Sequence, residues 1–327
     1  MSSSHNLRWS HGEATIVTTA ATVTDLTFNL PNGRFQPFAR APWVGKVDDP
    51  AIVGHLRVLS GDFVGVPFGT GGREAPNLPE WSRLMTQPAN GTIHGPSAHY
   101  DWTIVSGDDH SVTLALDYEA HSVVRRLERT ITARDGSPAL DFTLKIVARH
   151  KAQISCGLHP NFRLPEQPGR LKLDIEFAFG LVHPGRATSP DAQEFATLAS
   201  IPKDGGHVDM THVPLSPRTD FNVQMCGVTS PLTGTYLDEG AGFELDWDRD
   251  LLPTLMFWHT DGGIGGEPWN NQFRALGCEP LASTFDFHTD VSTGPNPINA
   301  RGVKTWVDID PAKPLEIHHS VRGFTTK

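Results

Sequence analysis

Cysteine is scarce in this 327-residue sequence, and the three that are present have no spacing that suggests a common role. Cys156, Cys226 and Cys278 are odd in number, lie far apart and form no Cys-x-x-Cys pair. A disulfide framework requires cysteines in pairs, and a zinc site with cysteine ligands requires cysteines that are close together in the sequence. The sequence therefore predicts neither a disulfide-rich protein nor a zinc-binding protein.

Long apolar runs and clusters of basic residues are also missing. One of the longest apolar runs, residues 251–258, is interrupted by Pro253, whereas a membrane-spanning helix requires about 18 apolar residues or more. Lys and Arg number 27 against 37 Asp and Glu, a net charge of −10, so neither nucleic acid nor an anionic membrane is an expected partner. The first residues lack the order of a secretory signal, and we expect a cytoplasmic protein.

Recognised cofactor motifs are absent as well. The glycine-rich segments 69–73 and 262–266 fit neither the phosphate-binding loop nor the dinucleotide-binding fingerprint. The sequence has no HExxH motif, and its 16 histidines show no convincing metal-ligand spacing. We therefore expect no cofactor and no metal, and we interpret both glycine-rich segments as loops near a site or as simple turns.

What the sequence does contain is the pattern of β-strands. Apolar and polar residues alternate over residues 112–118, 140–148 and 171–179, as in strands with one buried face. Asn32-Gly33 and Asn90-Gly91 are typical of hairpin turns, because both residue types tolerate a positive φ.

Helical patterns are few. Residues 78–85 predict one short helix, and Ser189-Pro190 is typical of the start of a second. The 31 glycines and 26 prolines are spread evenly, so they mark the ends of short elements and not a linker between domains. These features predict one all-β domain over residues 1–327, a large antiparallel sandwich or barrel.

Three short motifs carry candidate chemistry: His94-Gly95, then His159-Pro160-Asn161-Phe162, then Glu279-Pro280. In this order they resemble the galactose mutarotase-like superfamily, which includes aldose 1-epimerases and hexose-phosphate epimerases. The resemblance extends from about residue 61 to residue 280 and also includes segments 65–69 and 252–258. It implies a β-supersandwich, two large antiparallel sheets packed face to face, with a sugar bound in a cleft on one of them.

The resemblance also implies a reaction, the interconversion of the α and β anomers of a sugar. It assigns Glu279 as the base and His159 as the acid. Ring opening removes the proton of the anomeric hydroxyl and protonates the ring oxygen. Reference pKa values near 4.3 for Glu and 6.5 for His leave a range in which the base is ionised and the acid protonated. A neighbouring carboxylate is expected to raise the pKa of the histidine and widen that range.

The same resemblance suggests residues that contact the sugar. His94 is expected to hydrogen-bond it, Asp220 to grip its hydroxyls, and Arg73, or failing that Arg40, to act as the binding arginine. Trp258 is the candidate for an aromatic wall, since sugars have an apolar face; Phe68 and Trp43 are further candidates. After His94-Gly95 the chain departs from the family, with Pro96-Ser97-Ala98-His99 in place of an aromatic-Ala-Arg run.

Two other classes of function remain open at this stage. The altered run after His94 is compatible with a sugar-binding or sensing protein that has no catalysis. A glycosidase or lyase is a third possibility, but a hydrolase normally needs two carboxyl groups, and the sequence identifies no partner for Glu279. A phosphorylated sugar would call for clustered basic residues such as Arg73 and Arg274, and no cluster is evident. We expect a monosaccharide substrate and a monomer or homodimer.

Overall fold

Two large antiparallel sheets form the protein, which is seen here in a computed structural model that describes residues 3–46, 49, 51–69, 78–85, 92–185, 187 and 193–326. Every pairing between the described strands is antiparallel, and two short hairpin-like sheets complete the set. The predicted β-supersandwich is confirmed.

The first sheet contains 11 described strands, in the order β1-β2-β3-β5-β11-β22-β21-β18-β13-β14, with β4 paired to β3. Their bounds are β1 Ser4–Trp9, β2 Gly12–Val17, β3 Thr22–Leu30, β4 Gly33–Phe35, β5 Asp62–Gly65, β11 Cys156–Arg163, β13 Phe177–Val182, β14 Glu194–Phe195, β18 Phe221–Val228, β21 Thr254–Asp261 and β22 Arg274–Ala282.

The second sheet contains nine described strands, in the order β17-β12-β19-β20-β24-β9-β8-β7-β6. Their bounds are β6 Thr103–Gly107, β7 Ser111–Asp117, β8 Val124–Ala133, β9 Ala139–Ala148, β12 Leu171–Asp174, β17 His212–Val213, β19 Leu232–Tyr236, β20 Ala241–Trp247 and β24 Leu315–Thr325. The small sheets pair β10 Ala152–Ile154 with β23 Val307–Ile309, and β15 Ile201–Lys203 with β16 Gly206–Val208.

Helices are short and few in the described part of the chain. They are α1 Pro79–Ser82, α2 Gly95–His99, α3 Thr289–Thr293 and the 3₁₀ helices Gly54–Val58 and Asn299–Arg301. The predicted short helix at residues 78–85 is thus a single turn, and the helix start at Ser189 lies outside the described residues. None of the described helices has the length and apolar character needed to cross a membrane.

The core lies between the two sheets and follows from the alternation in the sequence. In β9 every second residue, from Leu140 to Ala148, is buried in the main hydrophobic cluster. Phe162 of the first sheet stacks on Phe243 of the second, with ring centroids 3.5 Å apart. The predicted strands at 112–118 and 140–148 correspond to β7 and β9, and Asn32-Gly33 is the turn of the β3–β4 hairpin. Asn90-Gly91 lies outside the described residues.

One predicted strand is wrong in a way that has a physical reason. Residues 171–179 alternate without interruption, but β12 ends at Asp174 and β13 begins at Phe177. β12 belongs to the second sheet and β13 to the first, so the chain changes sheets at Ile175-Glu176. Because both sheets direct their apolar faces into one core, the alternation continues across the change and does not reveal it.

Candidate active site

The three sequence motifs meet on the outer face of the first sheet. β11 and β22 are neighbours, and their register pairs Gly157 with Leu281 and Asn161 with Gly277. These two pairs bracket His159 and Glu279 symmetrically, so both side chains leave the sheet at the same place. His159 Nε2 lies 3.4 Å from Glu279 Oε1, although 120 residues separate them in the chain.

Aromatic rings fix the position of His159. Phe63 of β5 is paired with His159 in register, and the two rings stack with centroids 4.4 Å apart and planes 20° apart. The edge of Trp258, on β21, contacts the imidazole at 5.8 Å. His55, from the 3₁₀ helix Gly54–Val58, stacks on the other side of Phe63 at 4.9 Å. A histidine ring held between packed aromatic rings has little freedom to change its orientation.

His94 is placed by an unusual backbone. It has φ 58° and ψ 25°, a left-handed conformation that costs a non-glycine residue of order 1–3 kcal/mol and is concentrated at functional sites. Gly95 follows with φ 72°, and a Cβ at this position would lie 2.6 Å from the Val66 carbonyl oxygen. Glycine is therefore required after His94. The turn brings the His94 ring to 5.1 Å from that of His159 and 4.4 Å from that of Phe68.

The segment Pro96-Ser97-Ala98-His99, which follows His94-Gly95, has a structural role. The Ser97 hydroxyl donates to the Val64 carbonyl at 2.9 Å and accepts from the Val66 N–H at 2.8 Å. Ser97 thus attaches α2, and with it the His94 turn, to β5. The Trp102 indole donates to the Ser97 carbonyl at 2.9 Å and secures the end of the segment.

An open cleft surrounds these groups, with a cavity volume of about 160 Å³. Polar groups converge on one part of it and apolar side chains form the remainder. The described residues that line the cleft are His55, Leu56, Leu59, Phe63, Ile93, His94, His159, Asn222, Met256, Trp258, Ile264, Trp269, Glu279 and Asp286. In the described part of the chain, no three His, Cys, Asp or Glu side chains are grouped so as to hold a metal ion.

Burial controls the ionisation of the central pair. It lowers the pKa of His159 to about 3, and the charge of His55 adds to this effect. Burial also raises the pKa of Glu279 well above its usual value, and the Asp286 carboxylate adds to that effect. A neighbouring carboxylate, that of Asp62, does raise the pKa of His159 as expected, but burial outweighs its effect and the net change is downward.

Not every residue suggested by the sequence reaches the cleft. Asp220 does not line it: its Oδ1 accepts the backbone N–H groups of Asp261 at 2.8 Å and Gly263 at 3.2 Å. Asp220 thereby holds the loop that carries Ile264 and Trp269 to the cleft. The glycine-rich segment 262–266, interpreted as a loop near a site or a turn, is part of that loop.

The candidate arginines are placed as follows. Arg40 pairs with the exposed Asp25 at 2.8 Å and is not among the residues that line the cleft. Arg274 is engaged with Asp261 and, at 2.9 Å, with Glu166. Arg73 lies outside the described residues.

Of the remaining aromatic candidates, Phe68 and Trp43 pack against residues that line the cleft. Phe68 is buried against His94. Trp43 packs on Trp269 at 5.0 Å and donates its indole N–H to the Leu56 carbonyl at 2.7 Å. Trp258 itself lines the cleft and is half-buried.

The lining residues that were not identified from the sequence include His55, Asn222, Trp269 and Asp286. Asn222 pairs in register with Trp258, so the prediction of Trp258 together with strand pairing could have found it. Trp269 follows the glycine-rich segment 262–266 in the sequence. Nothing in the local sequence marks His55 or Asp286.

This architecture is shared with solved structures of galactose mutarotase-like proteins, so the fold that the resemblance implied is confirmed. The chain superimposes on a provisionally named aldose 1-epimerase of Escherichia coli K12 with a TM-score of 0.68, 14% identity and coverage of 99% of this chain and 100% of that one. It also superimposes on a GalM/aldose epimerase homologue of C. elegans, with a TM-score of 0.66, 13% identity and coverage of 100% of both chains.

A galactose mutarotase-like protein of Clostridium acetobutylicum superimposes with a TM-score of 0.63 and 12% identity, covering 98% of this chain and 95% of that one. No protein-family model matches the sequence, and no curated protein matches it with statistical significance. At these identities the likeness establishes the fold, whereas the activity must be argued from the side chains.

Proposed function

We propose that the chain is an aldose 1-epimerase-like isomerase that interconverts the α and β anomers of a monosaccharide. The observation that carries this proposal is the 3.4 Å contact between His159 Nε2 and Glu279 Oε1 within an aromatic-walled cleft. Anomer exchange needs one proton acceptor and one proton donor, and the two sugar oxygens involved are bonded to the same carbon. A donor and an acceptor placed side by side can therefore serve both oxygens.

The other cleft residues have roles in binding. His94 lies edge-on to His159, and we assign it the role of contacting a sugar oxygen. Trp258 offers an aromatic surface to the apolar face of the pyranose. Arg73 stays a predicted sugar ligand. Asp220 contributes to binding indirectly, because it holds the loop that carries Ile264 and Trp269 to the cleft.

The test is the rate of anomer exchange, followed by polarimetry or NMR exchange on a panel of monosaccharides. Glu279→Gln and His159→Asn should each reduce the acceleration about 100-fold or more, the usual contribution of an acid–base group. Glu316→Gln and His150→Asn are matched controls at exposed positions and should leave the rate unchanged. Full activity of Glu279→Gln would contradict the proposal, and saturable sugar binding without exchange by the unaltered protein would favour the binding-protein alternative.

Glycoside hydrolysis is a second candidate because Asp286 also lines the cleft and supplies the second carboxyl group that the sequence did not reveal. Asp286 is held by His183, with 3.1 Å between His183 Nε2 and Asp286 Oδ1. Hydrolases use two carboxyl groups about 5–9.5 Å apart. Release of reducing sugar from oligosaccharides, abolished by Asp286→Asn, would favour this candidate, whereas anomer exchange that survives Asp286→Asn would favour the isomerase.

A further inference from the structure

His259 lies beside the cleft but faces away from it. It follows Trp258 on β21, and because successive side chains of a strand point to opposite faces, its ring leaves the sheet on the side away from the cleft. The ring is fully buried and contacts the segment 214–220, which joins β17 to β18 and belongs to no helix or strand. Its Nδ1 lies 2.9 Å from the Thr219 carbonyl oxygen, and the Leu215 N–H donates to Nε2 at 3.4 Å.

These two hydrogen bonds define the protonation state of the ring. A carbonyl oxygen only accepts, so Nδ1 carries a proton, and a backbone N–H only donates, so Nε2 presents its lone pair. The neutral ring with its proton on Nδ1 satisfies both partners. An imidazolium has a proton on each nitrogen, so the Leu215 N–H would face another N–H in a buried site and lose its acceptor.

The charged groups around the ring come from the elements packed against it. They are Asp261 on β21 itself, Asp220 and Arg218 at the segment, Arg274 on the neighbouring β22, and Lys203 on β15, which lies over the ring of Phe221. Burial lowers the pKa of His259 below its ordinary value of 6.5 and outweighs the two carboxylates, which favour a proton on the ring. The neutral form required by the hydrogen bonds is therefore also the form that burial favours.

The segment held by His259 is the one that holds the cleft loop. Thr219 is followed directly by Asp220, whose Oδ1 accepts two backbone N–H groups of the loop 261–271 at 2.8 Å and 3.2 Å. That loop carries Trp269 to the cleft. Contacts between described residues thus lead without a gap from the ring of His259, through the segment, to the wall of the cleft.

We propose that His259 is a positioning residue for the cleft loop, and that it fixes the segment 214–220 only while its ring is neutral. Protonation removes the acceptor of the Leu215 N–H, so the segment loses one of its two bonds to the ring and Asp220 holds the loop less firmly. The expected consequence for activity, weaker sugar binding in acid, rests on the proposed function. The structural part does not.

The direction of the pH effect follows from the depressed pKa. The native chain binds fewer protons at His259 than the unfolded chain does, so this group favours the native state above 6.5 and loses that contribution as pH falls towards the folded pKa. The loop should accordingly be firmly held at pH 7 and less firmly held in acid.

Nitrogen-15 NMR of the histidine-labelled, full-length protein tests the ring directly at pH 7. The signals of His259 are assigned by their loss in His259→Asn. They should show a protonated Nδ1 and an unprotonated Nε2. A ring protonated on Nε2 alone, or on both nitrogens, would overturn the proposal. This measurement requires neither sugar nor activity.

Two substitutions separate the two bonds. In His259→Asn the amide N–H₂ takes the place of Nδ1, so the bond to Thr219 can be kept without a group that titrates, whereas His259→Leu keeps neither bond. At pH 7 we expect His259→Leu to speed hydrogen–deuterium exchange of residues 261–271, with β9 of the second sheet unchanged, and His259→Asn to have a smaller effect. His150→Leu, at an exposed position, is the control and should alter neither region. Unchanged exchange of the loop in His259→Leu would overturn the proposal.

The kinetic readout uses the monosaccharide that the unaltered protein interconverts fastest. His259→Leu should raise KM several-fold with a smaller change in kcat, because the ring does not face the sugar. Combination with Asp220→Ala should raise KM by less than the product of the two single effects, since both act on one loop. Effects that multiply fully would mean that His259 does not act through Asp220.

The pH readout compares His259→Asn with the unaltered protein between pH 7 and pH 4. Glu279 and His159 are common to both proteins, so their ionisation cancels in the ratio of the two KM values. This ratio should exceed one at pH 7 and fall towards one in acid, where the unaltered protein also loses its bond to Leu215. A ratio that is the same at both ends of the range would overturn the dependence on the neutral ring. Failure of the unaltered protein to accelerate anomer exchange would contradict the isomerase alone, and the NMR and exchange measurements would still decide the role of His259.

Discussion

Asp62 Oδ2 and His319 Nε2 lie 2.8 Å apart, although β5 and β24 belong to different sheets. Arg129 of β8 completes the group, with its Nη2 2.7 Å from the same carboxyl oxygen, and all three side chains are fully buried. Burial alone would raise the pKa of Asp62, but the charges of Arg129 and His319 outweigh it and lower that pKa. The group joins the two sheets directly behind Phe63, the residue on which His159 stacks.

We expect Asp62→Asn to destabilise the protein by about 3–5 kcal/mol, because it leaves the Arg129 guanidinium buried without its anion. Urea denaturation followed by intrinsic tryptophan fluorescence measures the loss. The control is Asp25→Asn, which removes the exposed partner of Arg40 and should cost less than about 1 kcal/mol. Equal losses for the two variants would show that the buried group does not hold the sheets together.

Glu279→Gln is expected to stabilise the folded protein while removing its activity. Because the pKa of Glu279 is raised in the folded state, the native chain keeps a proton that the unfolded chain releases above its ordinary value of 4.5. Stability is therefore lost as pH rises above 4.5, by at most about 1.4 kcal/mol per pH unit from this group until its folded pKa is reached.

The matching measurement is the melting temperature of both proteins between pH 4 and pH 8. Glutamine does not ionise, so the advantage of the variant should be small near pH 4 and grow with pH. Glu316→Gln, at an exposed strand position, should show no such trend. A variant that is less stable than the unaltered protein at pH 8 would mean that the Glu279 carboxylate is stabilised in the folded state.

The sequence revealed the strands and the motifs because both are local properties. Alternation identified β7 and β9, and the His-Pro and Glu-Pro pairs drew attention to His159 and Glu279. The contact between those two residues depends on the β11–β22 register, which no single segment specifies. The change of sheet at residues 175–176 was invisible for a related reason, since burial on either sheet produces the same pattern.

Residues without a motif were found only through the fold. His55 lies at the cleft because its ring stacks on one face of Phe63 while the ring of His159 stacks on the other. Asn222 lies there because it pairs with Trp258 across neighbouring strands. The ionisation of the pair was also beyond the sequence. Reference pKa values assume solvent around each group, whereas His159 and Glu279 are almost completely buried.

We expect Gly277→Ala to lower the activity while leaving the stability of the fold nearly unchanged. A Cβ on Gly277 would lie 2.8 Å from Glu279 Oε1 and 3.1 Å from Trp258 Cβ. The end of the Glu279 side chain can move, so we expect it to shift away from His159 at little cost in stability. The rate constant kcat for anomer exchange should fall about tenfold or more, with the melting temperature nearly unchanged.

Gly206→Ala is the control for this substitution, because the nearest atom to its added Cβ is 3.7 Å away and the residue is exposed. It should change neither kcat nor the melting temperature. Full activity of Gly277→Ala would indicate that the position of Glu279 is not critical, which conflicts with its proposed role.

The loop that carries Trp269 provides the last prediction. Asp220 Oδ1 accepts two backbone N–H groups of this loop, and both bonds can be kept by the amide oxygen of asparagine but not by alanine. We expect Asp220→Ala to raise KM several-fold with a smaller change in kcat, because the loop loses the bonds that hold Ile264 and Trp269 at the cleft. Asp220→Asn should be close to the unaltered protein.

Hydrogen–deuterium exchange of residues 261–271 supplies the structural readout for the same two variants. Exchange should be faster in Asp220→Ala and unchanged in Asp220→Asn. If Asp220 instead gripped the sugar through its negative charge, asparagine would raise KM without a change in the exchange of the loop. The pair of variants therefore distinguishes a residue that positions the loop from one that contacts the sugar.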